Sequence, residues 1–253
     1  MRMPVGDRDG VEASTPGKPA MKGRRAVVWV ARGLAIAIGL FLCVQFWFFL
    51  QVVNYKYRPP GETAFMSWRL AELREKNPRA AIQYRWVPYA RISIHLKRAL
   101  IAAEDAKFVD HEGFDWDGIQ VAFDKNRKRG KTVAGGSTIT QQLAKNLFLS
   151  PTKSYARKAE EALITLMLEA TLDKERILEL YLNVIEWGSG VFGAEAAAQR
   201  YFNLHAADLS AEQAARLAAM APNPRFYERN PNAPGLLKKT GIIRERMNSA
   251  ELP

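Results

Sequence analysis

The chain has 253 residues, with 37 Lys and Arg against 26 Asp and Glu, for a net charge of +11. That length holds one good-sized core plus an appendage, and that charge predicts an anionic partner: nucleic acid, a membrane surface or a phosphorylated substrate. The single cysteine, Cys43, excludes an internal disulfide and leaves the redox compartment open.

Residues 1–21 mix Pro, Gly, Ser and charge without periodicity. Together with the basic residues that follow, 1–25 reads as a disordered cytoplasmic tail. Residues 33–50 are apolar apart from Gln45, and apolar character extends over 26–53. At ~1.5 Å per residue the 33–50 run is about 27 Å long, close to the ~30 Å of a bilayer core. It is longer than the apolar core of a cleaved leader, and no small-residue cleavage site follows Phe46-Trp47-Phe48-Phe49-Leu50. Residues 26–53 are therefore expected to form a transmembrane helix. Lys18, Lys22, Arg24, Arg25 and Arg32 lie before it or at its edge, whereas Lys56 and Arg58 are the only early cations after it. This bias places the N-terminus in the cytoplasm and residues 54–253 outside.

Pro59-Pro60-Gly61 breaks the chain beyond the span. A helix is predicted over 63–76 and a short extended piece over 83–88. Helices dominate from Ile92 on. Ile94, Leu96, Ala99, Leu100 and Ala103 follow a near-helical stripe that runs into Glu104. Ser137 reads as the cap of a helix to about 149, Ser154 as the cap of 155–171 and Asp173 as the cap of 174–183. Gly188, Gly190 and Gly193 interrupt the next stretch, and helix resumes over 194–201. Ser210 with Gln213 makes a capping-box pattern before 211–220. Residues 228–241, rich in Asn, Pro, Gly and Lys, read as loop.

Three polar clusters carry the chemistry. Glu104-Asp105 opens the first, with Phe108, His111 and Gly113 at fixed offsets. Gly135-Gly136-Ser137-Thr138-Ile139-Thr140-Gln141-Gln142 is the second, followed by Lys145 and Asn146. Arg157-Lys158-Ala159-Glu160-Glu161 is the third. Taken singly each has a plainer reading: a surface acidic pair, a helix cap whose N–H groups could hold an anion, and an exposed ion pair. Gly130-Lys131-Thr132 lacks the upstream glycine of a phosphate-binding loop, and no zinc-ligand spacing surrounds His111. Together, carboxylates and cations in this order suit chemistry on a sugar joined to a phosphate. A diphosphate departs unprotonated when cations or a metal balance its charge. A glycosidase must protonate a poorer leaving group and needs two matched carboxyl groups. Lys145, Arg157 and Lys158 favour the transferase.

These clusters, with 177–183 and 187–193 behind them, resemble the peptidoglycan glycosyltransferases, most closely the monofunctional membrane-anchored branch. The match runs from about 59 to 227. The resemblance implies a mainly α fold: a lysozyme-like helical glycosyltransferase domain over 54–253, with a small membrane-facing lobe near 114–134, behind one transmembrane helix. It implies polymerisation of lipid II by inverting transfer of a lipid-diphosphate-linked glycan to the GlcNAc 4-hydroxyl. It makes Glu104 the base and Glu161 the second essential glutamate. Lys145, Arg157 and Lys158 would meet the diphosphate, and Ser137, Thr138, Gln141, Gln142 and Asn146 the sugars or phosphates. Asp105, Phe108, His111, Gly113 and Asn183 would support them. Glu161 could anchor Arg157, position the donor or hold a divalent cation such as Mg2+; no cofactor is required. Phe108, Phe114 and Trp116 are expected to desolvate Glu104. Relatives often carry Tyr where Phe192 stands. The basic run Lys125, Arg127, Lys128, Arg129, Lys131 reads as a contact for anionic headgroups or the diphosphate. The expected partners are lipid II, the growing strand, membrane lipids and other cell-wall synthesis or division proteins, not nucleic acid. A wall-cleaving lytic enzyme and a non-catalytic membrane scaffold are the rival readings.

Overall fold

The computed structural model describes residues 20–131, 135–152 and 154–253, with side chains from 27 onward. Residues 1–19 of the expected tail and 132–134 of the expected lobe lie outside the described residues. The chain divides into two compact units at Trp47 and Phe48.

The first unit is the long helix α1 (Ala20–Tyr57) as far as Trp47. Its residues from Val27 form an apolar helix long enough to cross a bilayer, which fits a single-pass membrane protein. Residues 20–25, expected in the tail, are its opening turns, because Met, Lys and Arg propagate a helix well. The helix also runs past 53, stopping just before Pro59 and Pro60.

The second unit, from Phe48, is mainly α. It holds α2 (Ala64–Lys76), α3 (Ile94–Glu104), α4 (Trp116–Arg129), α5 (Ile139–Phe148), α6 (Tyr155–Thr171), α7 (Lys174–Val184), α8 (Ala194–Phe202), α9 (Ala211–Met220), α10 (Pro224–Arg229) and α11 (Pro234–Arg246). Side chains start most of them: Thr63, Ser93, Asp115, Thr138, Ser154, Asp173 and Ser210 each accept a first-turn backbone N–H. Ser210 and Gln213 form the expected capping box. The helix after the glycine pair is capped by Thr138, one residue beyond the expected Ser137.

Two stretches differ from expectation. Residues 228–241 are the end of α10 and most of α11, not loop. Pro224 and Pro234 each stand in the first turn, where proline's missing N–H has no partner to lose. Leu236, Thr240 and Ile243 then bury one stripe of α11. Residues 186–193 are strands β2 (Glu186–Gly188) and β3 (Val191–Phe192), which join β1 (Gln83–Tyr84) in the order β1-β3-β2. β1 runs parallel to β3, and β2 antiparallel. Gly193, at φ +83°, lies so close to α7 that a Cβ would stand 2.5 Å from the Asn183 carbonyl oxygen. Only glycine lets the sheet meet the helix there.

The core centres on α7, whose Ile177, Leu178, Leu180, Tyr181, Leu182, Asn183 and Val184 are all buried. Asn183 accepts from Val87 N–H at 3.0 Å and donates to Val87 and Glu179 carbonyls at 2.9 Å, tying residue 87 to α7. Phe192 is fully buried edge-on to Phe65, so its position is one of packing.

Candidate active site

Glu104 is the last residue of α3, and Asp105 is its C-cap. The two neighbouring carboxylates do different work. Asp105 is buried; its Oδ1 meets His111 Nε2 at 2.9 Å, and its Oδ2 accepts the Ile139 N–H at 3.0 Å. It thereby pins the end of α3 to the start of α5, with His111 holding it from behind. Gly113, at φ +83°, packs against Thr165 and Glu169, and its carbonyl accepts the Thr138 hydroxyl at 2.7 Å. Phe108 is fully buried. Asp105 also lines the cavity beside Glu104.

Glu104 faces open space. It lines a cavity of about 210 Å³ with Ala102, Asp115, Gly118, Gly136 and Ser137. Gln142 Nε2 donates to Glu104 Oε2 at 3.0 Å, and Lys239 Nζ lies 3.8 Å from Oε1. Burial pushes the Glu104 pKa up, against the Gln142 hydrogen bond and the positive charges of Lys239 and Lys145. Trp116 is not what shields it: that ring is 72% exposed and stacks on Phe114.

Gln142 has a fixed orientation. The Tyr181 hydroxyl donates to its Oε1 at 2.8 Å, which leaves its amide hydrogens for Glu104 and the Ser137 carbonyl. Burial, with Glu104 and Asp105 nearby, holds the Tyr181 pKa far above the usual phenol range, so the hydroxyl remains a donor. Gln142 also borders a larger cleft of about 550 Å³, shared with Phe65, Arg69, Lys145, Asn146, Tyr181 and Arg225. The two cavities meet at the Glu104–Gln142 hydrogen bond. Asn146 donates to the Gln142 carbonyl at 2.7 Å and steadies this turn.

The adjacent glutamine is turned inward. Gln141 is buried, and its Oε1 accepts the Thr138 N–H at 3.1 Å in a capping box, while Thr138 itself is buried. Thr138 and Gln141 build the helix start, and Thr138 also lines the Glu104 cavity. The expected anion cradle is likewise used internally, since Asp105 takes Ile139 N–H and Thr138 takes Gln141 N–H.

The cations gather around Glu161. Arg157 Nη1 meets Glu161 Oε2 at 2.6 Å, and Lys158 Nζ pairs with Oε1. Lys158 also reaches Ser137 Oγ at 3.2 Å, which links this cluster to the wall of the Glu104 cavity. Burial lowers the Lys145 pKa; Glu161 and Glu104 oppose that, and Arg157 and Lys158 add to it, so all four charges reach Lys145. Both Glu161 oxygens are already engaged by cations, and among the described residues no group of three or more His, Cys, Asp or Glu gathers. This donor set does not fit a divalent ion. In this structure Glu161 bridges Arg157 and Lys158.

Sequence reasoning missed three features. Lys239 lies on a helix read as loop. Tyr181 lies in the 177–183 stretch, where a tyrosine on an otherwise aliphatic face carries a polar tip that needs a partner. The buried pair Arg69–Glu186, with N–O distances of 2.7 Å, lines the larger cleft together with Arg225, which pairs with Glu72.

Comparison with known proteins covers most of the chain. A family model described as transglycosylase matches residues 71–248. The biosynthetic peptidoglycan transglycosylase of Dechloromonas aromatica (strain RCB) is 65% identical over 225 residues, covering 89% of this chain and 97% of that protein. Its namesakes in Laribacter hongkongensis (strain HLHK9) and Chromobacterium violaceum are 59% and 60% identical, over 89% and 87% of this chain and 99% and 96% of theirs.

Proposed function

From its membership of the transglycosylase family, to which this chain belongs, we propose that it polymerises peptidoglycan glycan strands from lipid II. The observation that carries the reading is Glu104: a carboxylate at the rim of a cavity, held by one amide, with Lys145 and the Arg157–Lys158 pair nearby. Glu104 takes the proton of the acceptor GlcNAc 4-hydroxyl. Its raised pKa makes it a stronger base than an ordinary carboxylate. The 4-oxygen attacks the anomeric carbon of the lipid-linked donor and inverts it to a β-1,4 link. The bond to the diphosphate breaks, and Lys145, Arg157 and Lys158 balance the charge that leaves. Glu161 touches none of the reacting atoms in this scheme. It holds the two cations in place, and no metal is needed.

Helix α1 spans the inner membrane with its N-terminus in the cytoplasm. The catalytic unit works on the periplasmic side, on a substrate confined to the same surface. The basic end of α4, from Arg127 to Arg129, contacts anionic headgroups there.

The test is purified full-length protein, in detergent, with lipid II and excess EDTA. Glycan polymer and polyprenyl diphosphate are expected. Polymerisation that stops with the chelator overturns the cation-only account. Soluble muropeptides released from purified wall, with no polymer from lipid II, would instead identify a lytic enzyme.

A further inference from the structure

A third cavity, of about 310 Å³, lies between α2, the β2–β3 turn and α10. Lys76, Arg225 and Arg229 line it together with Glu72, Glu228 and Ser189. Arg225 also lines the larger cleft that holds Lys145. Its Nη1 meets both Glu72 oxygens, at 3.1 and 3.3 Å, so this ion pair sits at the residue that the two spaces share. The two members of that pair differ. Glu72 is also paired with buried Arg69, which Glu186 fixes from behind. Arg225 is 41% exposed and belongs to a six-residue helix whose start has no side-chain cap. Arg225 can therefore leave while Arg69 still neutralises Glu72. The far side of the cavity is fixed as well, since Glu228 accepts the Ser189 N–H at 2.8 Å.

A polymerase must lay its product somewhere. Each addition moves the strand along by one repeat, and the earlier sugars cannot remain at the reacting atoms. We propose that this third cavity is a distal subsite for the growing glycan strand, entered past the Arg225–Glu72 pair, in which Lys76, Arg225 and Arg229 hold carboxylates carried by the strand. The proposal rests on the polymerase reading above. Three cations against two carboxylates favour an anionic, peptide-bearing strand over a bare neutral one. Glu72 and Glu228 accept from sugar hydroxyls.

The test replaces two exposed residues outside the reacting cleft, Lys76→Ala with Arg229→Ala, in the full chain. Length-resolved gels measure first coupling of two lipid II molecules separately from later extension. The ratio of extension to first coupling should fall about fivefold, the scale of losing exposed charge contacts, and strands should shorten. Arg229→Glu should lower the ratio further. An unchanged ratio in both variants overturns the subsite. A titration with a soluble glycan oligomer carrying its stem peptides reads the cavity without turnover. Binding should weaken in the double variant, whereas the same oligomer stripped of peptides should bind both proteins alike; equal weakening of the two overturns the carboxylate assignment. If the unaltered chain makes no polymer from lipid II, the polymerase reading fails, and the titration still tests the cavity.

Discussion

Glu104 and Glu161 face neighbouring parts of one site, yet their surroundings differ in kind. Glu104 has an amide donor at 3.0 Å and a lysine at 3.8 Å, and burial raises its pKa. Glu161 is saturated, with Arg157 on one oxygen and Lys158 on the other. In the proposed scheme the carboxylate that accepts a proton is left under-compensated, and the one that holds cations is fully used. There the difference between base and anchor would lie in the number of positive partners, not in residue type.

The largest effect should come from removing the base. Glu104→Gln keeps the shape and loses the charge, and polymerisation should fall about 10²–10⁴-fold. The same change should stabilise the fold at neutral pH. Because the Glu104 pKa is raised on folding, its ionisation disfavours the native state once the pH exceeds the ordinary glutamate value near ~4.3. The stability gap between Glu104→Gln and the unaltered chain should thus vanish in acid, grow as pH rises through the folded pKa, and then level off. Thermal melts across pH check this, and a variant less stable at neutral pH would contradict it.

Glu161→Gln should cost less in rate and act oppositely on stability. It leaves two cations facing each other beside Lys145, so turnover should drop about 10-fold or somewhat more, with destabilisation of ~1–2 kcal/mol; the partial exposure of Arg157 and Lys158 reduces the penalty of a broken buried pair. If Glu161→Gln resembled Glu104→Gln in both measurements, the two regions would not be the opposites drawn here. The smallest effect belongs to Tyr181→Phe, which removes the donor that orients Gln142. A free amide then turns away from Glu104 part of the time, and the kcat should fall about fivefold, comparable to one hydrogen bond of ~1 kcal/mol. The acid limb of the pH profile should move upward, because the hydrogen bond it loses favours the charged form. A purely structural role for Tyr181 would leave that limb in place.

Much of this was legible in the sequence. Caps at Ser154, Asp173 and Ser210 mark helices that the structure has, because a capping side chain bonds to backbone within its own turn. The three polar clusters do meet, through Gln142, Ser137 and Lys145. What was not legible depends on distant chain segments. The sheet pairs residues 83–84 with 191–192, and α11 gains its helix from packing on α9 and α3 against the discouragement of Gly235 and Gly241. Lys239 beside Glu104 follows from that helix alone. Gln141 and Gln142 are equal as letters. Successive helical residues point ~100° apart, so one caps and the other meets the base.

The Arg157–Glu161–Lys158 cluster also sets a rule for inhibitors. An anionic mimic of the leaving group arrives at guanidinium and ammonium groups that a resident carboxylate already partly neutralises. A singly charged head must compete with that carboxylate and will be held weakly. A head bearing two negative charges, spaced to touch both cations on their outer sides, can bind without displacing Glu161. Medicinal chemistry at this site should therefore count charges before adding bulk.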